Sequence, residues 1–347
     1  MRGFFRLLAA SDVHGNRERM DRIIKYLNEE NVDAGVFLGD MTEYKSFYEA
    51  DRDFYPESLK AATKPFLTTI GNHDTGNNDE IGSSFPSTKE LYEAWMAPSI
   101  KFADPGTTHN GEDCYYYTDF PKQGVRIIVL NQYDHNDRKA DATHYLHRRN
   151  HEMYSQRQID FYINALTTTP ANFGVITCLH NSPGTMLPFN MGYSSEHTYG
   201  FMVPSYISES IIPFITDGFI NGTKAGKNFE IPTLGSQGQL TADFDFTRRG
   251  AGEFICYLGG HYHNSMLSRV KDYPNQLMYN VDSAGCDATT LQYSHFQRDE
   301  SEEHMDSFAH ITIDRARKIV SIKKIGTTLD EYGAVRLETK FLYQRCR

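Results

Sequence analysis

The chain has 347 residues, enough for one large or two ordinary domains, and 39% of them are hydrophobic, which supplies material for a core. Its net charge is −10, with no long basic run, and this argues against a nucleic-acid backbone as the main partner, because phosphate binding needs clustered Lys and Arg. The five cysteines (Cys114, Cys178, Cys256, Cys286, Cys346) form no Cys-x-x-Cys pair, which argues against a zinc-thiolate site or a disulfide framework and points to a reducing compartment.

Phe4 to Ala10 reads as a strand. Arg6 interrupts its apolar run and no cleavage signature follows, so a signal peptide is the poorer reading. No run reaches transmembrane length, and the expected location is cytoplasmic with no membrane partner. The strand leads into Ser11-Asp12-Val13-His14-Gly15-Asn16, then into a helix with Met20, Ile23, Ile24 and Leu27 on one face. Alternate residues of an extended segment point the same way, so Asp12 and His14 can reach one point. Ala34 to Leu38 is a second apolar strand, ending in Gly39-Asp40. Residues 41–64 look partly helical, with a blurred period. Pro65 to Ile70 is a third strand, and Gly71-Asn72-His73-Asp74 follows it. Three strands with crossovers between them, each ending in an acid or an imidazole, follow βαβ logic and imply parallel pairing.

Thr88 to Trp95 reads as a short helix stopped by Pro98. Cys114 to Phe120 and Val125 to Leu130 read as an antiparallel pair joined by Pro121-Lys122-Gln123-Gly124. Residues 134–151 are polar and hold four of the fourteen histidines (His135, His144, His147, His151); the reading is a solvated loop rather than a metal site. Ser155 and Gln158 fit a capping box before a helix with Ile159, Tyr162, Ile163 and Leu166 on its apolar face. A fourth strand, Phe173 to Leu179, ends in His180-Asn181-Ser182-Pro183. Residues 184–252 read as a long insertion bordering the site, with an apolar stretch from Ile207 to Ile220 and a Gly/Asn/Lys-rich turn region at 221–228. Phe254 to Leu258 is a fifth strand, ending in Gly259-Gly260-His261-Tyr262-His263. Gln276 to Val281 is another strand. A C-terminal hairpin is expected at about 307–325. No repeat or linker divides the chain, so 1–347 reads as one domain.

Five strand ends thus carry Asp12 and His14, Asp40, Asn72 and His73, His180, and His261 with His263. Carboxylate plus imidazole without thiolate suits manganese, iron, zinc or cobalt, and is too nitrogen-rich for calcium or magnesium alone. The donors exceed what one ion needs, and two ions sharing a bridging carboxylate fit better.

The order Asp-x-His, Gly-Asp, Gly-Asn-His-Asp, His, Gly-His-x-His resembles the calcineurin-like metallophosphoesterase superfamily, with all five motifs present in order over roughly residues 4–285. The resemblance implies an α/β fold, a four-layer α/β/β/α sandwich of two mixed β-sheets. It implies a dinuclear centre of two metal ions (Mn, Fe or Zn). Asp12, His14 and His263 would hold one ion, and Asn72, His180 and His261 the other, with Asp40 bridging. His73 would contact the phosphate and protonate the leaving group, and Asp74 would be its partner. The implied reaction is hydrolysis of a phosphoester by a hydroxide held between the ions, on a small-molecule substrate, a cyclic nucleotide or glycerophosphodiester type of phosphodiester being the first expectation. A phosphomonoesterase or phosphoprotein phosphatase is the alternative, and a non-catalytic metal-binding scaffold in a larger assembly is a reading of another class. Purple acid phosphatases of this superfamily place a Tyr three residues after the bridging Asp. Here that residue is Glu43, so their iron–tyrosinate colour is not expected.

Overall fold

Short apolar strands alternate with helices along most of the chain, and the strands lie buried wherever helices or a second sheet cover both faces. The computed structural model describes residues 4–42, 50–75, 86–100, 108–109, 113–134, 153–183, 186–188, 208–230, 239–263, 265–270, 272–284, 306–326 and 338–343. β1 (Phe5–Ala10) is followed by α1 (Arg17–Glu29), β2 (Ala34–Phe37), α2 (Ala50–Leu59) and β3 (Phe66–Thr68). Next come α3 (Thr88–Leu91), a π turn over Tyr92–Met96, α4 (Ala97–Ile100), β4 (Thr108–His109), β5 (Tyr116–Phe120) and β6 (Val125–Val129). α5 (Gln156–Thr167) leads to β7 (Gly174–Cys178) and β8 (Met186–Pro188). α6 (Ser208–Asn221), β9 (Lys224–Glu230) and β10 (Gln239–Asp245) precede β11 (Glu253–Gly259), β12 (Met266–Val270) and β13 (Tyr273–Asn280). β14 (Ser307–Asp314), β15 (Ile319–Gly326) and β16 (Glu338–Leu342) are the last described elements.

Two large mixed sheets result. The first has the order β16-β15-β14-β1-β2-β3, with β1, β2 and β3 parallel and the other pairs antiparallel. The second has the order β4-β5-β6-β7-β11-β13-β12-β8, with β6, β7, β11 and β13 parallel and the flanking pairs antiparallel. β9 and β10 form a separate antiparallel ribbon. This is the α/β architecture of two mixed sheets that the motif order implies.

Alternation along the strands sorts the core. Ile127, Val129, Ile176, Cys178, Cys256 and Leu258 of the second sheet share one cluster with Leu7, Ala9, Val36 and Leu67 of the first and with Ile23 and Leu27 of α1. Their neighbours Ile128, Val175, Phe254, Tyr257 and Met278 join a second cluster with Ile159 and Tyr162 of α5 and Ile212, Ile215 and Phe219 of α6. Hydrogen bonds also cross between the sheets. The Thr68 N–H donates to the Tyr116 hydroxyl (2.9 Å), and the Thr69 hydroxyl donates to the Leu130 carbonyl (2.6 Å).

Several local expectations change. The helix beginning at Thr88 does not stop at Pro98 but runs on to Ile100, because the π turn over Tyr92–Met96 absorbs the backbone offset just before a residue with no N–H to donate. The capping box at Ser155 is only half made. Ser155 accepts from the Gln158 N–H (3.1 Å), but the Gln158 side chain turns to Asn131, accepting from its N–H (2.7 Å) and donating to its carbonyl (2.8 Å). Ser87 and Glu90 form a complete box instead. The stretch 221–228 is largely strand rather than turn, since β9 pairs with β10 from Glu230↔Gln239 to Lys224↔Asp245 and buries Phe229. Of the residues 184–252, α6 and β10 pack on α5, β11 and β13, β8 pairs with β12, and 184–185, 189–207 and 231–238 lie outside the described residues.

Candidate metal centre

All nine expected site residues are among those described, and all lie just beyond the carboxyl ends of strands. Asp12 and His14 follow β1, Asp40 follows β2, Asn72, His73 and Asp74 follow β3, His180 follows β7, and His261 and His263 follow β11. This is the edge at which α/β sheets collect functional side chains. The loops interlock by backbone bonds. The Asp12 N–H donates to the Gly39 carbonyl (3.0 Å), His14 N–H to Asp40 (3.1 Å), and Gly260 N–H to His180 (2.7 Å). The His261 N–H donates to Asp12 Oδ2 (3.0 Å), joining the two sheets at the site itself.

Six non-glycine residues among those described have positive φ, and five are donors: Asp12 (55°), His14 (47°), Asp40 (57°), His261 (71°) and His263 (48°). Asp and His enter the left-handed region more readily than most residues, but each such residue needs surroundings that hold it there.

Three overlapping groups of donor atoms result: Asp12, His14 and His263; Asp40, His180 and His261; and His14, Asp40 and His73. Within the first, His14 Nε2 and His263 Nε2 are 3.0 Å apart, and His263 Nε2 lies 3.3 Å from Asp12 Oδ1. Within the second, His180 Nε2 lies 3.0 Å from Asn72 Oδ1, 3.2 Å from His261 Nδ1 and 3.2 Å from Asp40 Oδ2. Asn72 Oδ1 is also 3.0 Å from His261 Nδ1. The tautomer of His180 is set from behind: its Nδ1 donates to the Leu38 carbonyl (2.6 Å), which leaves Nε2 of the neutral ring as an acceptor. An imidazole nitrogen, an amide oxygen and a carboxylate oxygen packed at hydrogen-bond distance call for a positive charge between them. A proton on His180 or a bound cation supplies it, and the donor chemistry fits a metal.

The electrostatics lead the same way. Burial opposes charge on Asp40, yet His180 and His73 hold its carboxyl well below the ordinary range. Burial likewise opposes charge on Asp12, and His263 outweighs it. Burial would lower His180, but the Asp40 carboxylate raises it to about 9. Burial and the neighbouring His180 push His261 down to about 3. Two buried carboxylates thus pull positive charge into the cluster, and only some of the imidazoles can carry it.

Asp74 departs from its expected role. The family resemblance pairs it with His73, but both carboxylate oxygens are given to main-chain N–H groups. Oδ2 accepts from Asp40 (2.9 Å) and Gly71 (2.8 Å), and Oδ1 from Met41 (2.8 Å) and Thr42 (3.1 Å). It fastens the β3 loop to the β2 loop and so holds Asp40. His73 is placed otherwise: its backbone N–H donates to Asp40 Oδ1 (2.8 Å), and its ring sits edge-on to His14 with centroids 4.8 Å apart. Gly71 permits this closeness, because a Cβ there would overlap both Oδ1 and N of Asp40. Gly71→Ala is expected to fold but to lose metal and activity together, as read by metal analysis beside a thermal melt; unchanged metal content would refute the close packing of these loops.

Two supports carry no signal of chemistry in the sequence. Gln132 is fully buried and clamps the residue after His180, donating to the Asn181 carbonyl (2.7 Å) and accepting from its N–H (2.6 Å). Ser283 donates to the Asp12 carbonyl (2.8 Å). Each follows an apolar strand, β6 and β13, the same signal that marks the five donor loops. The histidine run His135–His151 and Glu43 lie outside the described residues.

No helix of the described residues is long and apolar enough to cross a membrane. Comparison with curated proteins gives no match. Among solved structures, the chain is similar to a dimetal phosphatase from Danio rerio at 12% identity and a TM-score of 0.59, with 98% of this chain and 99% of that chain covered. A Thermus thermophilus protein is similar at 10% identity and a TM-score of 0.43, over 93% of this chain and 99% of that chain. The first of these likenesses bears on the fold alone. The family model for calcineurin-like phosphoesterases matches residues 5–190, more than half of the chain, and includes every donor but His261 and His263. The chain is a member of the calcineurin-like phosphoesterase family, and so a metal-dependent hydrolase of phosphoric ester bonds.

Proposed function

We propose that the chain hydrolyses a small phosphodiester at a dinuclear metal centre. Asp12, His14 and His263 hold one ion, Asn72, His180 and His261 hold the other, and Asp40 is shared. The observation that carries this reading is the overlap of the donor groups, in which the Asp40 carboxylate belongs both with His180 and His261 and with His14 and His73. Bound there, two cations of the Mn, Fe or Zn kind supply Lewis acidity to a phosphoryl oxygen and acidity to a water molecule.

The remaining steps fall to side chains. His73 is buried beside Asp40, with its Nε2 3.9 Å from Asp40 Oδ2, and is not needed to complete either triad. It contacts the phosphate and, as imidazolium, gives its proton to the departing alkoxide oxygen. Asp74 keeps Asp40 and Gly71 in register, and its role is to position the loops. A diester carries one negative charge, which suits an acidic chain better than a polyanion does, and the Asp-x-His and Gly-Asn-His-Asp forms resemble those of diester-cleaving members of the family.

Side-by-side assays with added Mn on bis(p-nitrophenyl) phosphate and p-nitrophenyl phosphate test the substrate class. Faster cleavage of the diester is expected. A preference for the monoester would make this a phosphomonoesterase, and metal uptake without turnover on either ester would leave an enzyme of narrow specificity or a binding scaffold.

A further inference from the structure

Lys324 on β15 is the one buried lysine among the described residues, with 7% of its surface exposed. Its ammonium lies 3.5 Å from Asp282 Oδ2, and Asp282 is itself 4% exposed. Lysine is rarely buried unless paired, and such a pair loses more hydration than an apolar pair of similar volume would. Its value here lies in direction rather than in stability.

The two partners come from different sheets. Lys324 belongs to the first sheet, and Asp282 stands just past β13 of the second. The Asp282 carboxylate also accepts from the Ser307 hydroxyl on β14 (2.9 Å) and from the Ser283 N–H (2.8 Å). That second bond fixes the turn from which the Ser283 hydroxyl reaches the Asp12 carbonyl (2.8 Å). One residue further, the Ala284 N–H donates to the Ser11 carbonyl (2.9 Å). The loop after β13 therefore grips the backbone of Asp12 through its own carbonyl and the one before it. Asp12 is one of the left-handed residues, a conformation that persists only where neighbours hold it.

We propose that the Lys324–Asp282 pair, acting through Ser283, positions Asp12 for cation binding and sets the affinity of the metal position built on Asp12, His14 and His263. The proposal rests on the dinuclear reading above. Lys324, Asp282 and Ser283 touch neither ion nor substrate, so they are positioning residues. All three lie outside the matched segment 5–190.

The test is a Co(II) titration of the metal-free full-length protein, followed by visible absorption, with a thermal melt as the fold control. The wild type is expected to take up two equivalents. Lys324→Met and Ser283→Ala are expected to weaken one equivalent by about 10- to 100-fold, the size typical of lost supports behind a ligand, and to leave the other unchanged. Ser283→Ala removes a single hydroxyl and keeps the test open should Lys324→Met fail to fold. Glu253→Gln is the structural control. It breaks another pair that joins the sheets, Glu253 with Arg315 (2.9 Å), at the start of β11, and is expected to leave both affinities unchanged. Unaltered affinities in Ser283→Ala, or equal weakening of both equivalents, would overturn the proposal. A wild type that takes up no Co(II) would overturn the dinuclear reading and this proposal with it.

Discussion

Asp40→Ala is expected to abolish tight metal uptake and to lower kcat/KM by about 10³-fold or more. The estimate follows from losing several kcal/mol of Lewis-acid stabilisation at about 1.4 kcal/mol per tenfold. Asp40 is the carboxylate shared between donor groups, and it is the counter-charge that holds His180 at about 9. Removing it takes away the carboxylate nearest to His180 and His73, leaving Asp12 as the remaining anion of the cluster, and takes the acceptor from the His73 N–H. The backbone of the β2 loop still has Asp74, whose bonds go to the N–H groups of residues 40–42 and not to the Asp40 side chain. The fold should therefore survive, and metal analysis beside a thermal melt separates loss of the site from loss of the protein. A variant that still binds two equivalents would remove Asp40 from the centre.

His73→Ala should give the opposite pattern. Both triads, Asp12 with His14 and His263 and Asp40 with His180 and His261, are complete without it, so metal uptake should stay at the wild-type level. Turnover should fall by about 10²- to 10⁴-fold on a diester with an alkoxide leaving group, the usual contribution of a positioned general acid. The loss should be much smaller on bis(p-nitrophenyl) phosphate, because p-nitrophenolate leaves without a proton. Equal losses on both substrates would show that His73 does something other than protonate the leaving oxygen. Loss of metal would make it a ligand.

Much of this is legible in the sequence, and the reason is local. Each donor follows an apolar run, and an apolar run bounded by Gly, Asn, Asp or His reads as a buried strand reaching its polar edge. Asp12, Asp40, Asn72, His180 and His261 all follow from that one rule. The same rule applies to Gln132 after β6 and to Ser283 after β13. Neither stands out, because an amide and a hydroxyl do not advertise chemistry as an imidazole does. The family resemblance makes Asp74 the partner of His73. Its real partners are four main-chain N–H groups, and main-chain donors leave no mark in a pattern of side chains. The diversion of Gln158 from its own helix cap to Asn131 is likewise a tertiary choice between two acceptable partners. β9 is hidden because its sequence, Lys224–Glu230, buries only Phe229 and owes its strand form to pairing with β10.

The measurement that tests the central claim most directly is the metal stoichiometry of the purified protein, stripped by chelator and then reconstituted, with phosphoester cleavage followed at each step. Five loops converging from two sheets predict two tightly held equivalents, no turnover in the stripped protein, and activity returning as the equivalents are restored. A protein that takes up no metal, or that cleaves phosphoesters equally well after stripping, would contradict the account.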